Sequence, residues 1–184
     1  MFESGWPTHI LKTNIGDDNY CEQLFQYLIS TYGDEWPNSF AQKDIFTDTQ
    51  HRNQIYDKVT HFIYENVKNL FQKAFGTVPN HFIKTFATNH SNIGLHQHQG
   101  SLLSGVFYVY CSAGQLRLHD PRVNAQRGYP NDLQHYFKPK VIQPNMGDII
   151  IFPSFLQHEV SNNTSTEPRI IMPFDVFGDL DNFG

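Results

Sequence analysis

The stretch Asn92-Ile93-Gly94-Leu95-His96-Gln97-His98-Gln99-Gly100 decides how the rest of the chain is read. If it is extended, residues two apart share a face, so the imidazoles of His96 and His98 point the same way and can reach one ion. A third histidine, His158, follows near the end of another strand-like segment. Three such donors on an extended scaffold leave the opposite positions of a ferrous ion open, as a catalytic metal needs. The expectation is therefore a three-histidine iron site inside a β-barrel. Taken alone the HxH pair is unspecific, because the chain has 10 histidines and packing roles for them are commonplace.

Outward from this stretch, the pattern after Pro79 is strand-like to the C-terminus. The expected strands are Phe82 to Thr88, Ile93 to His98, Leu103 to Tyr110, Gln115 to His119, Lys140 to Gln143, Asp148 to Phe152, Leu156 to Ser161 and Arg169 to Val176. This set of short strands separated by turn residues is mainly β and suits a double-stranded β-helix, a cupin-like jelly roll whose mouth can hold a small molecule. The connection from Asp120 to Lys138 is too long for a turn and carries Arg122, Arg127, Tyr129 and His135. A loop of that length reads as a lid or a disordered segment. Asp120-Pro121-Arg122 and Asn89 read as turns near the mouth. Gly147-Asp148 and Phe152-Pro153-Ser154 read as tight turns.

Before Pro79 the period is helical. Tyr20, Leu24, Phe25, Leu28 and Tyr32 recur every three to four residues after Asp17 or Asp18, which predicts a helix over 18–32 stopped by Gly33. Ile55, Val59, Phe62, Ile63, Val67, Leu70, Phe71 and Ala74 form one apolar stripe ended by Gly76 and Pro79. Both helices are expected to lie on the outer face of the barrel. Residues 33–50 read as a connection, and Thr8 to Asn14 as an added outer strand. The whole chain reads as a single domain, 1–184, with 1–78 a helical support region and 79–178 the double-stranded β-helix core.

Composition excludes several classes. The chain has 184 residues, 39% hydrophobic and 15% aromatic, enough for one sizeable core. Its net charge of −5, without any Lys/Arg run, argues against nucleic acid as a partner. The two cysteines, Cys21 and Cys111, have no CxxC spacing, so neither a zinc ribbon nor a disulfide framework is signalled. No apolar run approaches the roughly 18 residues of a membrane span, and Met1 to Gly5 lacks a leader pattern. A cytoplasmic protein with no membrane partner is expected.

Longer motifs give the histidines their context. His96-Gln-His98-Gln-Gly-Ser-Leu-Leu-Ser104-Gly105-Val-Phe-Tyr108-Val is similar to the first metal-binding segment of the prolyl-hydroxylase-like 2-oxoglutarate/Fe(II) oxygenases found in marine bacteria and their phages. Pro144-Asn-Met-Gly147-Asp148-Ile-Ile-Ile-Phe152-Pro153-Ser154-Phe-Leu-Gln-His158-Glu-Val resembles the family's second metal segment. Pro168-Arg169-Ile-Ile-Met-Pro-Phe resembles its cosubstrate segment. The resemblance runs over about residues 80 to 177 with order and spacing intact.

That resemblance implies an Fe(II)-dependent dioxygenase that consumes 2-oxoglutarate and dioxygen, releases succinate and carbon dioxide, and hydroxylates a peptidyl or small amino-acid-like substrate. If phage-encoded, it would act in the host cytoplasm, as a monomer or homodimer. It makes His96, His98 and His158 the metal ligands and Arg169 the partner of the distal carboxylate of 2-oxoglutarate, a task that suits a guanidinium fork. Ser104 and Tyr108, four apart on one strand, share a face and become cosubstrate-binding candidates, with Tyr108 also the candidate catalytic residue. Two positions depart from the wider superfamily. His98 stands where a carboxylate is usual, which would leave the ligand set neutral unless Asp120, Glu159 or a water-bridged group intervenes. Glu159, next to His158 on a strand, should point the opposite way. Ile171 stands where a cosubstrate-binding serine is common.

Two other readings predict different behaviour. A three-histidine cupin-type metalloenzyme without 2-oxoglutarate would not need Arg169, but Gly100 to Leu103 lack the glutamate such segments commonly carry. A non-catalytic jelly-roll binding module would hold no stoichiometric transition metal, its histidines serving packing or pH sensing.

Overall fold

The helices form where the periodicity places them. α1 spans Asp18–Tyr32, and the Asp17 carboxylate accepts a hydrogen bond from the Tyr20 backbone N–H (2.9 Å), capping the first turn. α2 spans Ile55–Phe75; Gly76 ends it in the left-handed region (φ 70°), donating its N–H to the Gln72 carbonyl. The Tyr20 hydroxyl ties the two helices together. It donates to the Ile55 carbonyl (2.6 Å) and accepts from the Val59 N–H (3.1 Å), bridging one turn of α2.

The computed structural model describes residues 8–32, 42–43, 53–85, 87–88, 93–111, 113–122, 127–161 and 169–178. The expected stop at Gly33, most of the 33–50 connection, Asn89 and Pro168 lie outside these residues. The strands are β1 (Leu11–Asn14), β2 (Gln42–Lys43), β3 (His81–Thr85), β4 (Ala87–Thr88), β5 (Ile93–His96), β6 (Leu103–Cys111), β7 (Gln115–Leu118), β8 (Lys140–Ile142), β9 (Asp148–Pro153), β10 (His158–Ser161) and β11 (Arg169–Gly178).

These strands make two antiparallel sheets. The larger runs β1-β9-β6-β11-β4-β2, with β3 also on β11; the smaller runs β5-β10-β7-β8. All eight expected strands are present, and Thr8 to Asn14 does contribute an edge strand on β9. Phe82 to Thr88 divides into β3 and β4. The Asp120 to Lys138 connection contains a short 3-10 helix, Asn131–Phe137, which the sequence pattern had not indicated.

One apolar cluster lies between the helices and the large sheet. Leu24, Leu28, Val59, Ile63 and Val67 meet Phe107, Val109, Ile149, Ile151, Ile170 and Met172. Phe25 of α1 stacks on Tyr110, and Phe62 of α2 meets Phe107 edge-on. Each fully buried aliphatic chain here contributes about 1.5–3 kcal/mol. This stripe clamps the back of the sheet whose front faces the second cluster. That second, smaller cluster fills the space between the sheets with Tyr108, Leu116, Leu118, Ile150, Phe152, Leu156, Val160 and Ile171.

Candidate metal centre

The three histidines converge at one end of the inter-sheet space. His158, the first residue of β10, pairs directly with His96, the last residue of β5. Their ring centroids are 4.1 Å apart, with His98 5.2 Å from His96 and 5.1 Å from His158. One nitrogen from each ring lies within 4.8 Å of those of the other two, a spacing that one metal ion can bridge.

Local backbone details bring this about. The next paired residues after His158 and His96 are Val160 and Ile93, so β5 carries one extra residue there. Such a bulge re-aims side chains beside functional sites. Ile93 and His96, three apart, thereby line the same cavity. The expectation that His98 lies within the strand is corrected: β5 ends at His96, and the His98 N–H instead reaches the Ser154 carbonyl (3.4 Å), turning the chain across the mouth.

Each ring is oriented through Nδ1. In His96 it contacts the Gly94 carbonyl (2.8 Å), in His158 the Leu156 carbonyl (3.0 Å), and in His98 a carboxylate oxygen of Asp175 (2.6 Å). All three partners are acceptors, so each Nδ1 carries the proton and Nε2 is left with a lone pair for an ion. Burial pushes His158 down to about 4, against the Leu156 carbonyl and with the nearby His96 and His98 adding to the effect. It is neutral near pH 7, as a ligand must be. The donor set therefore fits a divalent transition metal.

The trio lines a cavity of about 320 Å³ together with Ser104, Gly105, Val106, Leu116, Phe152, Arg169, Ile171 and Pro173. Arg169 is the first residue of β11 and only 3% exposed, so its guanidinium is a buried cation opening on the same space as the histidines. A second bulge shapes its surroundings. Arg169 pairs with Cys111 and Ile170 with Tyr110, but Ile171 pairs with Tyr108, leaving Val109 extra. Tyr108 and Cys111 consequently both join the inner cluster while Val109 packs toward the helices. The guanidinium lies 5.6 Å from the Tyr108 ring centroid.

Tyr108 is fully buried behind the cavity wall, and burial raises its pKa, so it stays a neutral phenol. Ser104 does line the cavity, but its hydroxyl donates to Asp175 (2.7 Å). Ile171 faces the cavity with an apolar side chain. Glu159 points away, as its place next to His158 predicts, and lies near His119 (3.3 Å) and Arg117 (3.9 Å). Asp120 accepts two hydrogen bonds from the Arg122 guanidinium. Neither carboxylate is grouped with the trio among the described residues.

Asp175, which touches the trio through His98, is the residue at this site that reading the sequence missed. A signal was present: counting in twos from Arg169 along one strand reaches 171, 173 and 175, so an aspartate is placed on the cavity face. A charged side chain on the inner face of a buried strand calls for a partner.

A second, more open cavity of about 750 Å³ is lined by Ile10, Leu118, Leu156, Asp120, Lys138 and Lys140 among others. Leu118 pairs with His158 on one side and with Lys140 on the other, so the cationic Lys140 stands two strands from the trio on the same face. Among the described residues, no helix is long and apolar enough to cross a membrane.

Fold, histidine trio and buried arginine together define the class, and sequence comparison agrees. A family model described as "Putative 2OG-Fe(II) oxygenase" matches residues 84–175, half of the 184-residue chain. The chain belongs to this family, whose description gives iron(II) and 2-oxoglutarate as its cofactors. No curated protein matches the sequence. Among solved structures, a Pseudomonas putida prolyl-4-hydroxylase is similar at TM-score 0.65 and 10% identity, over 94% of this chain and 94% of that one. HygX from Streptomyces hygroscopicus, with nickel and 2-oxoglutarate bound, aligns at TM-score 0.60 and 12% identity, over 94% and 84% of the two chains. A Trichoplax adhaerens prolyl hydroxylase in complex with a hypoxia inducible factor peptide aligns at 0.58 and 14%, over 92% and 83%. At such identities the likeness is one of fold.

Proposed function

We propose that the protein is a hydroxylase in which His96, His98 and His158 bind Fe(II) and Arg169 holds the distal carboxylate of 2-oxoglutarate. The observation that carries this reading is the shared cavity: three histidines with Nε2 available and a buried guanidinium face one space of about 320 Å³. When bound, the metal and its cosubstrate supply the oxidising chemistry, with dioxygen consumed and succinate and carbon dioxide released. The chain does the rest. Backbone carbonyls and Asp175 fix the imidazoles before the metal arrives. Arg169 offers two parallel donors to a carboxylate and so selects a dicarboxylate of one length. Apolar Leu116, Phe152, Val160 and Ile171 exclude water from the reacting end.

The second cavity, of about 750 Å³, whose Leu118 pairs with His158, is where we place the substrate, a peptidyl side chain or small amino-acid-like molecule. Anaerobic protein loaded with Fe(II) and 2-oxoglutarate should develop a metal-to-cosubstrate charge-transfer band and, on admitting oxygen, form succinate. Absence of both signals at full iron occupancy would rule the reading out.

A further inference from the structure

The three histidines are not equivalent. His96 and His158 rest on neutral carbonyls two residues back in the chain, Gly94 within β5 and Leu156 in the turn before β10. His98 alone rests on a carboxylate, at 2.6 Å, the range of a charge-assisted hydrogen bond. Asp175 comes from β11, 77 residues away, and its place is fixed by the ladder that pairs it with Ser104.

A directed chain of hydroxyls secures that carboxylate. Ser101 donates to Ser154 (2.8 Å), and Ser104 donates to Asp175 Oδ1 (2.7 Å). Each hydroxyl has one proton, so the Ser154–Ser104 contact (2.9 Å) must have Ser154 as donor. The order Ser101, Ser154, Ser104, Asp175 ends on Oδ1, which accepts from both Ser104 and His98. Three segments of the barrel converge on one oxygen atom.

We propose that Asp175 is the anionic group of the metal site, a positioning residue that supplies through His98 the negative charge a directly bound carboxylate would otherwise supply. This rests on the reading of the three histidines as ligands. A carboxylate behind an imidazole fixes its tautomer and raises its basicity, and losing such a partner typically costs about 10–100-fold in metal affinity. One negative charge beside the ion is the arrangement, and its position has been moved outward by one side chain. The consequence is a dependence on His98. If His98 is replaced by aspartate, the imidazole through which Asp175 acts is gone, and removing the charge at Asp175 then matters less.

The test is anaerobic Fe(II) affinity, by competition with a chromogenic chelator, for wild type, Asp175→Asn, His98→Asp and the double variant, beside the melting temperature of each apoprotein. Asp175→Asn should bind Fe(II) about 10–100-fold more weakly than wild type. In the His98→Asp background the same change should weaken binding by a clearly smaller factor. Unchanged affinity in Asp175→Asn overturns the proposal, as does weakening by the same factor in both backgrounds, which would mark a packing role. Should Asp175→Asn fail to fold, Ser104→Ala removes a donor while keeping the charge; it should weaken Fe(II) several-fold, and no change there is equally fatal. His96→Ala separates the two readings. If wild type binds no Fe(II), or His96→Ala binds as well as wild type, the ligand assignment itself fails; if His96→Ala loses the metal while Asp175→Asn keeps it, only the role of Asp175 does.

Discussion

His158 sits directly across the β5–β10 ladder from His96, with their ring centroids 4.1 Å apart, although 61 residues separate them in the chain. Backbone hydrogen bonds between the strands hold the two positions opposite each other, so a ligand variant should keep its fold. His96→Ala and His158→Ala should each reduce iron affinity by more than the roughly 10–100-fold that follows loss of a surrounding hydrogen-bond partner. Isothermal titration or chelator competition under anaerobic conditions measures it, with circular dichroism of the apoproteins expected to match wild type.

Much of this arrangement could be read from residue types and spacing. The helix over 18–32 and the apolar stripe ending at Gly76 follow from a period of 3.6 and appear at the expected bounds. The two-residue spacing of His96 and His98 was enough to bring their rings together, even though the strand stops between them. What stayed hidden depends on register. The bulges at Val109 and within Ile93–His96 carry no Pro and only one ordinary Gly, so alternation counted along the sequence fails there. Asp175 was passed over because its contact with His98 joins β11 to the segment after β5, 77 positions apart, which spacing along the chain does not show.

Gly105 is required for a steric reason. A methyl group there would run into the Phe174 ring, which lies across it on the paired strand, with the ring Cε2 only 2.7 Å away. Phe174 is 1% exposed and has no room to retreat. Gly105→Ala should therefore destabilise by about 1–3 kcal/mol, the range for overpacking a filled core. Urea unfolding would show it. Adding Phe174→Leu should recover part of the loss, so that the double variant is more stable than the sum of the two single changes.

Tyr20 offers a separate check on how the helices are joined. Its hydroxyl accepts from the Val59 N–H and donates to the Ile55 carbonyl in a site only 8% exposed. Burial holds that hydroxyl in its neutral form by raising its pKa. Tyr20→Phe keeps the ring and deletes both contacts, which should cost about 1–3 kcal/mol. Because the helices pack on the far side of the large sheet from the histidines, iron affinity should not move. A shift in the denaturation midpoint with unchanged Fe(II) titration is the expected pair of results.

Arg169 separates an oxygenase from a three-histidine enzyme that needs no 2-oxoglutarate. The guanidinium opens on the cavity of the trio and belongs to a different strand from the three histidines. Arg169→Ala should accordingly leave Fe(II) bound and weaken 2-oxoglutarate by about 10–100-fold, equivalent to the roughly 1.5–3 kcal/mol of a hydrogen bond to a charged group. Arg169→Lys should recover little of this, since an ammonium cannot present the two parallel donors of the fork. Titrating 2-oxoglutarate into the anaerobic Fe(II) protein and following the charge-transfer band reads both variants. Equal loss of iron and cosubstrate would assign Arg169 to the fold. Unchanged 2-oxoglutarate affinity would favour chemistry at the three histidines that uses no dicarboxylate.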